Sequence, residues 1–186
     1  GIIRPVSIVT CGDVMFTSPA VFSEVNMGTL DEAWLTFSTI ITNLANHEVH
    51  GAIHASFGEV EFTYPISLHA GEQRLLTLTP DQVKQLHIRN PRLWWCRGLG
   101  TPELYKMNLT FLSNGKIQDS KSFQFGIRQV GEYFTSDGDR GFTLNGKRVL
   151  VRGGGWTDDI FMRDTPETNA EQLYKVCDMN LNAIRM

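Results

Sequence analysis

The chain has 186 residues, of which 41% are hydrophobic, so it is long enough for one or two domains and can bury a core. Its 17 basic and 20 acidic side chains leave a formal net charge of −3, which argues against a general nucleic-acid binder. The apolar runs are only a few residues long, which argues against a membrane-spanning helix, and the composition excludes disordered, collagen-like and coiled-coil chains.

The first two thirds of the chain are predicted to form short β-strands. Apolar and β-branched residues alternate in these segments, and Asn114-Gly115 is a strong signal for a two-residue hairpin turn. The predicted strands cover residues 6–11, 37–45, 51–57, 61–68, 74–79, 104–112 and 117–125. Seven or eight strands at this spacing favour an immunoglobulin-like β-sandwich, with Asp119 at its surface.

Two groups of side chains in this part could bind a ligand. His50 and His54 would share one face of a helix and could hold a metal, but their segment is predicted as a strand, so we expect no metal site. The three cysteines are scattered and form no CxxC pair, which argues against a zinc site. Trp94 and Trp95 are expected to pack over one end of the sandwich, and the alternative is an exposed platform for sugars.

The pattern changes near residue 128. A second hairpin turns at Asn145-Gly146, and a helix is predicted to begin with Thr165 as its N-cap and Pro166 at its first position. The helix should end near Asn180, and its buried stripe is predicted to consist of Leu173, Val176 and Cys177. Residues 181–186 are typical of a strand, so we expect an α/β unit that begins here and is cut off.

A run of three glycines, 153–155, precedes Trp156 and two aspartates. The run is not a nucleotide-binding motif, because it lacks the GxGxxG and GK[ST] spacings. Three glycines favour a close approach to another backbone, or leave space for a ligand. A tryptophan beside Asp158 and Asp159 suits a sugar, whose CH faces stack on the ring and whose hydroxyls donate to carboxylates. The alternative is an exposed acidic loop with a packing tryptophan.

Five segments, in order along almost the whole chain, resemble glycoside hydrolase family 2. They include the tryptophan-rich stretch Asn-Pro-Arg-Leu-Trp-Trp-Cys-Arg-Gly-Leu-Gly and the stretch Arg-Gly-Gly-Gly-Trp. The five segments are residues 1–6, 90–105, 125–128, 142–156 and 179–186. Arg-Gly-Gly-Gly-Trp followed by Asp-Ile-Phe-Met-Arg looks most like the exo-β-D-glucosaminidase branch, and β-mannosidases are the near alternative. Cys96 departs from the family pattern, which commonly has proline there.

The resemblance implies a mainly β protein with two parts. An immunoglobulin-like β-sandwich would cover residues 1–127, and a linker hairpin with the truncated beginning of a (β/α)8 barrel would cover 128–186. Family members are retaining glycosidases whose two catalytic glutamates lie on later barrel strands. The resemblance therefore implies no catalytic residue in this chain, no activity of the chain alone, no cofactor and no metal.

The resemblance also implies a β-linked oligosaccharide substrate and, as partner, the catalytic barrel of the same polypeptide. Trp156 would form an apolar wall, and Asp159 would bind sugar hydroxyls or the ammonium group of a glucosamine. Arg185 would orient a catalytic carboxylate or, alternatively, form an internal salt bridge of the barrel. The whole enzyme would be periplasmic or extracellular. A competing reading is a stand-alone carbohydrate-binding sandwich.

Overall fold

The computed structural model describes residues 5–162 and 164–186, and they are mainly β. One short 3₁₀ turn, Lys84–Leu86, precedes the sixth strand. In chain order the other elements are β1 (Val14–Val25), β2 (Glu32–Asn43), β3 (Val49–Phe57), β4 (Val60–Leu68), β5 (Gln73–Leu78), β6 (His87–Arg89), β7 (Tyr105–Ser113), β8 (Lys116–Phe125), β9 (Val130–Phe134), β10 (Arg140–Leu144), β11 (Lys147–Val149), β12 (Gly153–Gly155), α1 (Pro166–Asp178) and β13 (Ala183–Arg185).

The chain divides into two compact units. The first unit contains residues 9–94 and 103–129, and the second is built mainly on residues 95–102 and 130–186. The first unit holds strands β1 to β8, and the second holds the remaining strands and the helix.

The first unit is a β-sandwich, as predicted. One antiparallel sheet has the order β1-β2-β5 with β6 also paired to β2, and the other has the order β4-β3-β7-β8. Side chains from both sheets form one hydrophobic core. Its largest fully buried members are Phe16, Phe37, Phe57, Phe111, Leu35, Ile41, Ile53, Leu68, Leu78, Leu86, Met107 and Leu109. Each such side chain stabilises the fold by roughly 1.5–3 kcal/mol relative to an exposed position.

Period-two alternation explains why the central strands lie where the sequence predicted them. In β3 the side chains of Ile53, Ala55 and Phe57 are buried, and the intervening residues are only half-buried. His50 and His54 lie on this strand, and their ring nitrogens contact hydroxyls of the neighbouring strand β4. The strand assignment that argued against a two-histidine metal site is therefore confirmed.

The first predicted strand is wrong, and a longer strand follows it. Residues 6–11 form no strand, and Val6, Ile8 and Val9 are 75%, 92% and 73% exposed. The first strand is instead Val14–Val25. Its alternation is hard to recognise because the pairing register with β2 shifts at Ser18-Pro19, where Ser18 has a φ of 51°.

Asp119 is not a surface residue, contrary to the prediction. It is only 6% exposed, and its Oδ2 accepts a hydrogen bond of 2.8 Å from the backbone N–H of Phe16. A register shift between Phe111 and Leu112 in the pairing of β7 with β8 inserts one extra residue into β8. The bulge reverses the alternation locally, so that apolar Ile117 is exposed and Asp119 is buried.

Both predicted asparagine–glycine hairpins are confirmed. Asn114 and Gly115 connect β7 to β8, and Asn145 and Gly146 connect β10 to β11. All four residues have positive φ, between 47° and 76°, as a turn of type I′ requires. The second hairpin belongs to a three-stranded antiparallel sheet of the order β11-β10-β9.

The predicted helix is confirmed, but its predicted buried stripe is not. Thr165 caps the helix, and its hydroxyl accepts from the N–H of Thr168. Leu173 is 46% exposed, and Val176 and Cys177 are only half-buried. No residue of α1 is fully buried, because too few of the described elements pack against the helix.

Candidate functional site

The glycine run forms a short parallel pair with the last strand. Gly153 lies opposite Ala183, and Gly155 lies opposite Arg185. A β-carbon added at Gly153 would lie 2.1 Å from the carbonyl oxygen of Ala183, so only glycine permits this approach. One of the two expected uses of the glycines, the close approach to another backbone, is therefore confirmed.

The two faces of this pair differ in chemistry. Side chains of one strand alternate, so Arg185 shares a face with Ala183, and Ile184 lies on the other face with Met186. A β-carbon added at Gly155 would lie 3.6 Å from Nη2 of Arg185. Glycine at this position therefore leaves room beside an exposed guanidinium group.

Trp156 follows directly after β12 and is tied to the other strand. Its backbone N–H donates a 2.8 Å hydrogen bond to the carbonyl oxygen of Arg185. Its half-buried side chain lines a pocket of about 360 Å³. The pocket lies on the face opposite to Arg185, and its other lining residues are Asp158, Asn169, Leu173, Ile184 and Met186.

Asp159 lies in a tight local turn. Its carboxylate Oδ1 accepts a 2.7 Å hydrogen bond from the N–H of Phe161, and its carbonyl accepts from Met162 at 2.8 Å. Its own N–H donates to Asp164 Oδ1 at 3.4 Å. The structure thus brings the predicted residues Trp156 and Arg185 together by their backbones, and it places the Asp159 carboxylate in its own loop.

Asp158 was named with Asp159 as an acceptor beside the tryptophan, but only Asp159 was predicted to bind the substrate. It is exposed and lines the same pocket as Trp156. The signal was present in the adjacent aspartates, because successive side chains of an extended segment point to opposite sides. Since the carboxylate of Asp159 turns back to Phe161, Asp158 is the carboxylate that remains beside the tryptophan.

Asn182 fixes the loop that leads into the glycine run. Its side-chain Oδ1 accepts from the N–H of Arg152 at 2.8 Å, and its Nδ2 donates to the carbonyl of Leu150 at 3.0 Å. Its backbone N–H also donates to the carbonyl of Arg152 at 2.8 Å. This side chain therefore aligns the segment before β12 with the segment before β13.

The N-terminal turn of α1 borders the pocket. The backbone N–H of Glu167 and the hydroxyl of Thr165 hold the pKa of the Glu167 carboxyl below its ordinary value. Asn169, one turn into the helix, lines the pocket, and its Oδ1 is buried without a hydrogen-bond partner among the described residues. The pocket wall therefore contains an unused acceptor.

These groups can bind a polyol but do not form a catalytic pair. At the pocket, the Trp156 ring supplies a stacking surface, and Asp158 and Asn169 supply acceptors, whereas the guanidinium of Arg185 lies on the opposite face. Within residues 5–162 and 164–186 no group of three histidine, cysteine or acidic side chains is placed to hold a metal. In the same part of the chain, no helix is both long and apolar enough to cross a membrane.

The tandem tryptophans are packed rather than open. The guanidinium of Arg128 lies 4.6 Å from the ring centre of Trp94, and Gly126 packs against the same side chain. In the second unit, Lys147 Nζ lies 4.7 Å from the ring centre of Trp95. Both side chains are half-buried, so neither offers an open platform. Trp94 packs within the sandwich unit, as predicted, whereas Trp95 belongs to the other unit, so its predicted packing over the end of the sandwich is not confirmed.

Comparison with known proteins identifies close relatives. The exo-β-D-glucosaminidase of Streptomyces avermitilis is 32% identical over 186 residues, which are 100% of this chain and 21% of that protein. The mannosylglycoprotein endo-β-mannosidase of Lilium longiflorum is 34% identical over 118 residues, 59% of this chain and 12% of that protein. The chain thus spans about a fifth of the first relative.

A solved structure has the same fold. The crystal structure of the Amycolatopsis orientalis exo-chitosanase matches with a TM-score of 0.84 and 30% identity, over 94% of this chain and 20% of that one. The sequence model of the family described as "Glycosyl hydrolases family 2" matches residues 22–128, which is more than half of the chain. The chain therefore belongs to glycosyl hydrolase family 2.

Proposed function

We propose that this chain is the non-catalytic sandwich and the beginning of the catalytic (β/α)8 barrel of a larger retaining glycosidase. The sandwich would cover residues 1–127 and the barrel start 128–186. The observation that supports the barrel start is the order β12–α1–β13, in which a helix connects two parallel strands. This strand–helix–strand unit is the repeating element of such barrels.

The proposed substrate is a β-linked glycan that carries glucosamine at its end. The match to an exo-β-D-glucosaminidase extends over the whole chain, whereas the match to the lily mannosidase covers 59% of it. The relation over the full chain includes the glycine run and the loop after it, which border the candidate site. A β-mannoside is the second candidate, because identity over the shared part is similarly high, at 34%.

The proposed site lies where β12 and β13 end. Active sites of barrel enzymes are at the carboxyl ends of the strands, and Trp156 and Arg185 occupy those ends here. In the proposal, Trp156 forms an apolar wall, and Asp159 accepts from sugar hydroxyls or an ammonium group. Arg185 orients a catalytic carboxylate through paired hydrogen bonds, and its competing role is an internal salt bridge.

The chain alone is proposed to be inactive. Retaining glycosidases need two carboxyl groups about 5–5.5 Å apart, one as nucleophile and one as acid and base. Asp158 and Asp159 do not suit this role, because the Asp159 carboxylate is bonded to the Phe161 N–H in its own turn. The catalytic pair would come from the rest of the barrel. Because the proposed substrate is a polymer, we also propose that the enzyme acts in the periplasm or outside the cell.

Kinetics of the larger enzyme that contains this chain would test the site. We expect Asp159→Ala to lower kcat/KM on 4-nitrophenyl β-D-glucosaminide about 10- to 100-fold, as for loss of a hydrogen bond to a charged group. Activity on the β-D-mannoside should be low in both forms. Exposed Asp137→Ala is the control, since Asp119 is buried. Equal, small effects of Asp159→Ala and Asp137→Ala would reject the site, and preference for the mannoside would reject the substrate.

A further inference from the structure

The outward face of the first sheet carries a row of three side chains at one end of β2. Glu24 on β1 pairs with Trp34, and Trp34 pairs with His87 on β6. Paired residues of adjacent strands point to the same side of a sheet. Ala33 and Leu35, which flank the tryptophan, are fully buried, so the row of Glu24, Trp34 and His87 faces away from the core.

The Trp34 ring stacks on the imidazole ring of His87. Its ring centre lies 5.3 Å from that of His87, and the two planes differ by 8°. His87 is fixed in turn by Glu32, whose Oε1 lies 3.2 Å from its Nε2. Because β6 lies on one side of β2 and β1 on the other, the imidazole covers one ring face and leaves the other directed toward β1.

On the β1 side, the strand register places an acidic residue and a second aromatic residue next to the tryptophan. Glu24 is exposed, and among the described residues its carboxylate has no hydrogen bond or ion pair. Phe22 is the diagonal neighbour of Trp34 on the same face and is 62% exposed. Arg89 lies opposite Glu32 in the register, so a positive charge accompanies Glu32, whereas Glu24 remains a free acceptor.

This combination fits an amino sugar. The CH face of a pyranose ring stacks on an aromatic ring, and an ammonium group is attracted both to a tryptophan face and to a carboxylate. A β-linked glucosamine oligomer presents both groups at each sugar. An N-acetylated oligomer offers the same stacking without the positive charge.

We propose that this face, formed by Phe22, Glu24, Trp34 and His87, is a second, non-catalytic binding surface for β-linked glucosamine oligomers. Trp34 is the stacking ring, and Glu24 accepts from the ammonium group of the sugar. The identity of the sugar rests on the proposed function. The surface lies on the sandwich unit, and the candidate site at β12 and β13 belongs to the other unit.

Titration of the 186-residue chain with a β-1,4-linked glucosamine hexamer tests this surface by calorimetry. We expect saturable binding that Trp34→Ala and Glu24→Gln each weaken about threefold to fivefold, as for an exposed cation–aromatic contact. Binding should also weaken at high salt, which screens exposed charges. Matched controls are Leu75→Ala, an exposed apolar side chain on β5, and Glu61→Gln, an exposed carboxylate on β4. Trp34→Phe keeps a ring, so it should retain most of the affinity even if Trp34→Ala misfolds.

Several outcomes would overturn the proposal. They are absence of saturable binding, equal binding of the N-acetylated hexamer, and affinity unchanged by both Trp34→Ala and Glu24→Gln. Dimerisation of the chain that Trp34→Ala abolishes would identify the face as a contact between copies instead. If the larger enzyme hydrolyses glucosaminides while the chain binds no hexamer, only the surface fails. If the chain binds the hexamer while the enzyme prefers mannosides, only the proposed substrate fails.

Discussion

Two asparagine side chains in the second unit differ in their hydrogen bonding. Asn182 bonds both the N–H of Arg152 and the carbonyl of Leu150, whereas Asn169 Oδ1 is buried without a partner among the described residues. In the 186-residue chain, Asn182→Ala should lower the free energy of unfolding by about 1 kcal/mol, because the exposed backbone groups of Arg152 and Leu150 lose a protein partner. Asn169→Leu should raise it by up to about 1 kcal/mol, since it removes an unsatisfied acceptor. Urea unfolding of both variants measures the difference. A loss of stability in Asn169→Leu would show that its oxygen is bonded in solution.

Glu72 links the stability of the sandwich to pH. The backbone N–H of His69 and the guanidinium of Arg74 lower the pKa of its carboxyl below the ordinary value. A carboxyl with a lower pKa in the folded state stabilises the fold above its unfolded-state pKa, and this stabilisation is lost as pH falls through the folded-state pKa. The Tm of the chain should therefore exceed that of Glu72→Gln near neutral pH, and the gap should close in acid. Glu61→Gln, the same change at an exposed position of β4, is the matched control. A gap independent of pH would contradict this role.

At the scale of elements, the β12–β13 pair depends on one glycine more than on its neighbour. A β-carbon at Gly153 would lie 2.1 Å from the Ala183 carbonyl oxygen, whereas one at Gly154 would meet no atom within 4 Å. Gly153→Ala should therefore separate the strands and cost about 1–3 kcal/mol, as overpacking does. Hydrogen exchange should show reduced protection of the Trp156 N–H, which donates to Arg185. Gly154→Ala is the matched control, and equal protection in both variants would contradict the close approach.

The elements that were predicted correctly are those whose sequence signals come from residues next to one another in the chain. The hairpins at Asn114 and Asn145, the capped helix after Thr165 and the alternating strand β3 depend on neighbouring residues alone. The strand errors near Ser18 and Asp119 occur where a bulge changes the alternation, whereas the error in the buried stripe of α1 arises because too few described elements cover the helix. The register shift at Ser18 interrupts the alternation of β1, so this strand was not predicted from the sequence.

The candidate site was only partly predictable from sequence for a similar reason. Trp156 and Arg185 adjoin through a pairing of strands 30 residues apart, and the glycine run gave the clue to that approach. The direction of a single carboxylate is set by a turn, however. The Phe161 N–H binds the Asp159 carboxylate, so that Asp158 is the aspartate beside the tryptophan. Composition and spacing do not determine which of the two carboxylates takes that position.

At the scale of the whole molecule, the two units differ in how completely their elements are packed. The sandwich has a closed core of its own, whereas α1 has no buried residue and β12 and β13 form only a two-stranded pair. A helix with an exposed apolar residue such as Leu173, 46% exposed, gains little from packing. This contrast is what a scaffold domain followed by the start of a barrel would show, and it agrees with a chain that spans 21% of its relative from Streptomyces avermitilis.

The most direct test compares two polypeptides on one substrate. The 186-residue chain and the proposed larger enzyme would be assayed side by side on 4-nitrophenyl β-D-glucosaminide, and the anomer of the first product would be identified by NMR. We predict no turnover by the chain, and turnover by the larger enzyme with retention of the β-configuration, since its two catalytic carboxylates would lie outside this chain. Turnover by the chain alone, or inversion by the larger enzyme, would contradict the proposed role.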